Sequence, residues 1–235
     1  MELITLLASP EEVEAGELKV EGDAYRHLFR ARRVEAGTTL RVVDGRGRAR
    51  WGEVARVDRA SAQVKLAGPA PANEPEWRLE LLVATIRPEP ASWVVEKATE
   101  VGVAAIRFLN TARAPRTFGE GTAARLVRVA AAAVEQCHRS VLPDVTGPHA
   151  WSEMPRLAAR SERRWVLDTA AEVSEVAAWG DRGESGSLLV GPEGGWSPEE
   201  RQELAAAGWR PVGLGARVLR AETAALVGAG MLILG

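Results

Sequence analysis

The sequence predicts an α/β protein in two parts, a small β-barrel over residues 1–70 and a parallel-sheet domain over residues 76–235. Three observations carry that reading. Gly68-Pro69-Ala70-Pro71-Ala72-Asn73-Glu74-Pro75 sets three prolines in eight residues, a composition that resists helix and sheet alike and reads as a linker. Before it, short strand-like runs dominate. After it, strand-like and helical runs alternate, the pattern of a parallel sheet covered on both faces.

In the first part, Leu3–Leu7, Thr39–Asp44, Ala49–Val57 and Ser61–Leu66 read as strands, and Asp44-Gly45-Arg46-Gly47 as a hairpin turn. One short helix, about Asp23 to Arg32, puts Tyr25, Leu28 and Phe29 on a single face. In the second part the strands are Leu79–Ile86, Ala105–Leu109, Trp165–Leu167, Leu188–Val190 and Pro211–Gly213. Helices are expected over Ala91–Val101, with Val94, Ala98 and Val101 on one stripe, and over the alanine-rich Thr122–His138. Ser197-Pro198-Glu199-Glu200 is a capping box: hydroxyl at the N-cap, proline at N1, carboxylate three residues on. The end of the chain, Leu226 to Leu234, is almost wholly apolar.

With 46% hydrophobic and 26% charged residues, the 235-residue chain can bury a sizeable core and stay in water. No basic, apolar leader follows Met1, and the longest uncharged run, Thr223–Gly235, is 13 residues. A membrane span needs roughly 20, so a cytoplasmic location with no membrane partner is expected. The single cysteine, Cys137, excludes an internal disulfide and a cysteine-based zinc site. His27, His138 and His149 have no metal-ligand spacing. Glu135 and His138 have the i, i+3 spacing of carboxylate-bridged metal sites, but no second such pair exists, so no metal is expected.

The net charge of −2 hides an asymmetry. Arg26 to Arg50 holds eight arginines against Glu35 and Asp44, a net of +6, whereas Glu172 to Glu203 holds eight acids against Arg182 and Arg201, a net of −6. A basic amino-terminal block suits a protein that meets nucleic acid with one end. Arg26, Arg30, Arg32 and Arg33 are the candidate phosphate contacts, supported by Arg46, Arg48 and Arg50 on the adjoining hairpin. The plainer reading is a solvated helix face.

The chemistry concentrates in the last quarter. Gly191-Pro192-Glu193-Gly194-Gly195-Trp196 and Gly213-Leu214-Gly215-Ala216-Arg217 are glycine-bearing loops, each after a strand-like run and before a helix. Ligands on parallel sheets sit at the carboxyl ends of strands, where both loops and Asp168-Thr169 fall. Bare backbone there can approach and hydrogen-bond a small molecule. A dinucleotide fingerprint is excluded because Val218 stands where its third glycine belongs, and no P-loop Gly-Lys-Ser/Thr occurs. Trp196 and Trp209 could be platforms for bases, and more simply are packing residues.

Val190-Gly191-Pro192-Glu193-Gly194-Gly195, with Leu214-Gly215-Ala216-Arg217-Val218-Leu219-Arg220-Ala221-Glu222-Thr223-Ala224, resembles the S-adenosylmethionine site of the knotted SPOUT methyltransferases. Within them the chain is most similar to the 16S rRNA (uracil-N3)-methyltransferase family, through His27-Leu28-Phe29-Arg30, Glu96-Lys97-Ala98-Thr99-Glu100-Val101-Gly102 and Glu135-Gln136-Cys137-His138-Arg139. The resemblance implies a SPOUT-type knotted parallel-sheet methyltransferase domain preceded by a PUA-like, RNA-binding β-barrel. It also implies a homodimer acting on 16S rRNA or the small ribosomal subunit. The cofactor would be held by Leu167, Asp168, Gly191, Pro192, Glu193, Gly194, Leu214, Gly215, Val218, Leu219, Thr223 and Ala224. Arg139 would lie on the substrate side. Arg113, in Thr111-Ala112-Arg113-Ala114-Pro115, matches the family's basic segment only loosely.

Methylating uracil N3 requires loss of its proton, and the negative charge spreads onto O2 and O4. Arg220 is the candidate that stabilises that charge. Glu193 or Glu222 could take the proton, as could hydroxide from water. A mutual Arg220–Glu222 ion pair at a solvated helix start is the plain alternative. Ribose 2′-O-methylation, a non-catalytic RNA-binding protein of the same fold and a nucleotide-dependent oxidoreductase are the competing functions.

Overall fold

A computed structural model of the chain describes residues 3–115, 118–119, 121–171 and 183–234. Residues 172–182 of the acidic stretch lie outside the described residues. The chain divides into two compact units, Met1–Glu74 with Val134–Leu142, and Pro75–Ala133 with Pro143–Gly235.

The first unit comprises β1 (Thr5–Leu7), α1 (Pro10–Ala15), β2 (Glu17–Glu21), α2 (Gly22–Tyr25), β3 (Thr39–Val43), β4 (Ala49–Val57) and β5 (Ser61–Pro69). The strands form one sheet in the order β1-β3-β4-β5-β2. β1 runs parallel to β3 and the other pairs are antiparallel. β2 alternates strictly, with Leu18 and Val20 buried and Glu17, Lys19 and Glu21 exposed, so one face of the sheet closes on the core. Ser9 and Glu12 complete a capping box at α1, and Gly16 ends it at φ +83°. The helix expected over Asp23–Arg32 starts as α2 and widens to π geometry over Arg26–Ala31. It still buries Tyr25, Leu28 and Phe29 together.

The proline-rich stretch is less free than its composition suggests. Gly68 and Pro69 close β5, and the Ala70 N–H donates to the Ala49 carbonyl. Prolines remove donors but keep their carbonyls. Arg41, only 1% exposed, donates to the Pro71 carbonyl at 2.7 and 3.1 Å, and also to the His138 carbonyl and the Ser140 hydroxyl. Burial pulls its guanidinium below the usual arginine range, against the neighbouring Glu74 and Cys137. The Glu74 carboxylate accepts from the Ser140 and Val141 N–H groups and pairs with Arg139 at 2.7 Å.

The second unit comprises β6 (Arg78–Ala84), α3 (Pro88–Val101), β7 (Ala105–Asn110), most of α4 (Thr122–Cys137), β8 (Asp144–Ala150), α5 (Met154–Leu157), β9 (Arg163–Leu167), β10 (Ser185–Val190), α6 (Pro198–Ala206), β11 (Arg210–Val212) and α7 (Ala221–Leu234). Its strands pair in the order β11-β9-β10-β6-β7-β8, parallel throughout. β6 and β10 are central and buried on both faces, which is why they read as continuous apolar runs. Gly228 lets α7 lie close on the sheet: a Cβ there would sit 2.8 Å from the Leu188 side chain. Among the described residues no helix is long and apolar enough to cross a membrane.

Candidate active site

Strand register creates the site. β11, β9 and β10 lie side by side, with Leu167 opposite both Val190 and Val212, so the three strands finish level. All three run in the same direction. Their following loops, Asp168–Ala171, Gly191–Ser197 and Gly213–Arg220, therefore leave from one edge. They line a cavity of about 250 Å³ together with Arg113, from the loop after β7, and Ala221 and Ala224 at the start of α7.

Each loop is held by contacts its own sequence supplies. Trp196 is 1% exposed, and its indole N–H donates to the Leu167 carbonyl at 2.9 Å, tying the first glycine loop to the end of β9. Gly191 must be glycine, because a Cβ would come within 2.9 Å of the Trp196 ring. The capping box at α6 forms as the sequence predicts, with Ser197 and Glu200 bonding each other's backbone. Gly215 sits at φ +105°, a conformation side chains rarely adopt.

Two consecutive residues of α6 then hold the loops to one another. Glu200, 4% exposed, accepts from Ser197 N–H at 2.8 Å with one oxygen and from Ala112 N–H at 2.7 Å with the other. It thus joins the loop after β10 to the loop after β7. Arg201 grips Asp168 with two bonds, of 2.7 and 3.1 Å, and donates to the Trp196 carbonyl at 3.0 Å. That grip holds the Asp168 carboxyl below the usual carboxylate range, against the opposing effect of partial burial. Arg113 crosses Gly194 and donates to its carbonyl at 2.9 Å.

Of the residues expected to hold a cofactor, Leu167, Asp168, Gly191, Pro192, Glu193, Gly194, Leu214, Gly215, Val218, Leu219 and Ala224 line this cavity. Thr223 is not among the lining residues. Glu193 lines it as well, whereas Arg220 and Glu222 stand outside the lining, 4.0 Å apart, with the Arg220 side chain 80% exposed. Thr169 and Arg217 also line the cavity, within segments that the sequence placed at these strand ends, whereas Arg201 carried no signal in the sequence and Arg113 only a loose match. Trp196 and Trp209 are buried in the core beside Leu204, as packing residues.

The candidate phosphate contacts lie in the first unit. Arg26, Arg30, Arg32 and Arg33 are all exposed. Arg26 pairs with Asp23, and Arg30 donates to the Arg59 carbonyl while lying 5.8 Å from the centre of the Tyr25 ring. Arg139 differs: it is 4% exposed and clamped by Glu74, a buried strut of this unit. Arg46 and Arg48 are also exposed, on a loop whose N–H groups both donate to the Asp44 carboxylate. Glu135 accepts from Leu7 N–H, and His138 Nδ1 lies 2.9 Å from the Thr5 hydroxyl. Among the described residues no cluster of three or more histidine, cysteine or acidic side chains could hold a metal.

The family description "RNA methyltransferase domain" matches residues 73–233, and "RNA methyltransferase PUA domain" matches residues 20–67. A ribosomal RNA small subunit methyltransferase E from Synechocystis is 27% identical over 94% of this chain and 74% of its own length. A protein of the same name from Mycobacterium bovis is 30% identical over 90% of this chain and 84% of its own. A methyltransferase from Legionella pneumophila, solved with bound S-adenosylmethionine, superposes with a TM-score of 0.85 at 26% identity. That match covers 99% of this chain and 97% of that one. The fold is therefore that of an α/β RNA methyltransferase domain joined to a PUA-type unit, and the chain belongs to the ribosomal RNA small subunit methyltransferase E family.

Proposed function

We propose that this chain transfers a methyl group from S-adenosylmethionine to uracil N3 of one uridine in the 16S RNA of the small ribosomal subunit. The observation that carries the reading is the single cavity formed by both glycine loops at the level ends of β9, β10 and β11. The donor set fits that cofactor. Bare backbone at Gly191 and Gly215 admits a close approach, and Leu167, Leu214 and Leu219 offer apolar walls for an adenine. When bound, S-adenosylmethionine supplies an electrophilic methyl carbon and leaves as a neutral thioether, so the protein's task is placement and charge.

The residues divide that task. Arg220, exposed at the start of α7, stabilises the negative charge that spreads onto uracil O2 and O4 as N3 loses its proton. Glu193, in the cavity wall, and Glu222, beside Arg220, are the candidate acceptors of that proton. Arg26, Arg30, Arg32 and Arg33 contact RNA phosphates from the PUA-like unit over residues 1–70, while residues 76–235 carry the chemistry. The exposed apolar side chains Val218, Val227 and Leu234, on or beside α7, support a homodimer. A ribosomal substrate places the protein in the cytoplasm.

The test is transfer of labelled methyl from S-adenosylmethionine to small subunits, and to naked 16S rRNA, from cells that lack the modification. Label in the RNA is the expected result. Binding of cofactor with no transfer to either substrate would sink the proposal.

A further inference from the structure

Arg113 lies in a segment to which the sequence gave only a loose match. It comes from the loop after β7, away in sequence from the two glycine loops, yet it lines their cavity. Three contacts place it. Glu200 pins the preceding residue through the Ala112 N–H at 2.7 Å. Nη1 of Arg113 donates to the Gly194 carbonyl at 2.9 Å. Gly194 has no side chain to push it away: a Cβ there would lie 3.2 Å from the Arg113 Cβ.

The other cations of the cavity are differently disposed. Arg201 is engaged by the Asp168 carboxylate and the Trp196 carbonyl. Arg217 stands on the exposed loop that ends at Arg220. Among the described residues Arg113 is anchored by the neutral Gly194 carbonyl, with the Glu199 carboxylate near enough to feel its charge but not hydrogen-bonded to it, and its planar fork has donors to spare. A guanidinium held this way matches a carboxylate.

We propose that Arg113 binds the carboxylate of the methionine part of the cofactor, and that Glu200 and Gly194 act as positioning residues for it. The proposal rests on reading the cavity as an S-adenosylmethionine site. Arg113 then fixes the end of the cofactor remote from the adenine, so that the methyl carbon keeps one position relative to the incoming base.

The test compares two ligands by calorimetry on the whole protein. S-adenosylhomocysteine carries the amino-acid carboxylate, and methylthioadenosine is the same nucleoside thioether without it. Arg113→Ala is expected to weaken S-adenosylhomocysteine roughly ten- to hundredfold, the range for a lost hydrogen bond to a charged group. Methylthioadenosine should change by less than about twofold, since it never reached that bond. Arg113→Lys should fall between, because it keeps the charge and loses the fork. Gly194→Ala should likewise weaken S-adenosylhomocysteine more than methylthioadenosine, by displacing Arg113. Equal losses for both ligands would overturn the proposal, as would unchanged affinity for S-adenosylhomocysteine. Unchanged affinity with a raised KM for RNA would assign Arg113 to a phosphate of the substrate. If the unaltered protein binds neither ligand, the cofactor reading itself fails and the proposal with it.

Discussion

Arg220 projects from the loop before α7, with its side chain 80% exposed and Glu222 4.0 Å away. A pair 4.0 Å apart whose guanidinium is so exposed contributes little to stability, which leaves that guanidinium available for a substrate. Arg220→Ala should lower turnover by about 10²–10³-fold, the usual cost of removing one charge-stabilising donor. Affinity for S-adenosylhomocysteine should stay within about twofold, because Arg220 is not in the cavity wall. Unchanged turnover would remove Arg220 from the mechanism. Glu135 makes a different kind of claim. Burial pushes its carboxyl up, against the Leu7 N–H and His27, which favour the charged form. A carboxyl raised in the folded state binds more protons folded than unfolded. Its stabilising contribution is therefore present at acid pH and is lost as pH rises through the folded value. Glu135→Gln keeps an acceptor for Leu7 N–H and removes the charge. Thermal midpoints measured from acid to neutral pH should show a shallower decline and a neutral-pH value equal to or above that of the parent. A lower neutral-pH midpoint would mean that the carboxylate charge itself is needed.

At the level of elements, α7 depends on glycine for its depth. Its apolar sequence is buried through Ala225, Gly228, Ala229 and Leu232, and a Cβ at Gly228 would meet Leu188 at 2.8 Å and Leu167 at 3.4 Å. Gly228→Ala should cost about 1–3 kcal/mol by overpacking, although alanine favours helix. A denaturant midpoint that rises instead would mean the sheet can yield there. Some elements with a periodic or capping signal were read from the sequence. The capping box at Ser197 formed, and the expected face of Tyr25, Leu28 and Phe29 is buried. Other elements were not read, among them α1 despite its Ser9–Glu12 capping box. β8 reads Asp-Val-Thr-Gly-Pro-His-Ala, a polar edge strand interrupted by glycine and proline. β2 carried a clean alternation but only five residues, between two short helices. The widening to π geometry after Tyr25 has no signal in residue spacing, since the buried face is the same either way.

On the scale of the whole molecule, the basic block Arg26–Arg50 lies in the first unit and the cavity in the second. If the exposed arginines of the first unit contact phosphate, charge reversal at Arg30 and Arg32 should raise the KM for RNA and flatten its salt dependence. Cofactor affinity should be unchanged. A lowered thermal midpoint with an unaltered KM would make those arginines structural. The loops that line the cavity were visible in sequence because each follows a strand-like run and carries glycine. The clamp that joins them was not. Glu200 and Arg201 connect segments 33 and 88 residues away, and no local pattern encodes such pairs. Arg139 was expected to face substrate, yet Glu74, 65 residues earlier, encloses it. The knot that the resemblance implies has no signal in periodicity or spacing, since the general rule is that chains do not thread loops. The identity of the methylated nucleoside tests the account most directly. Labelled product RNA would be digested and its nucleosides separated by mass spectrometry. N3-methyluridine is the expected product, from a small subunit or from naked 16S rRNA. A ribose-methylated nucleoside would keep the fold and the cofactor but contradict the roles given to Arg220, Glu193 and Glu222.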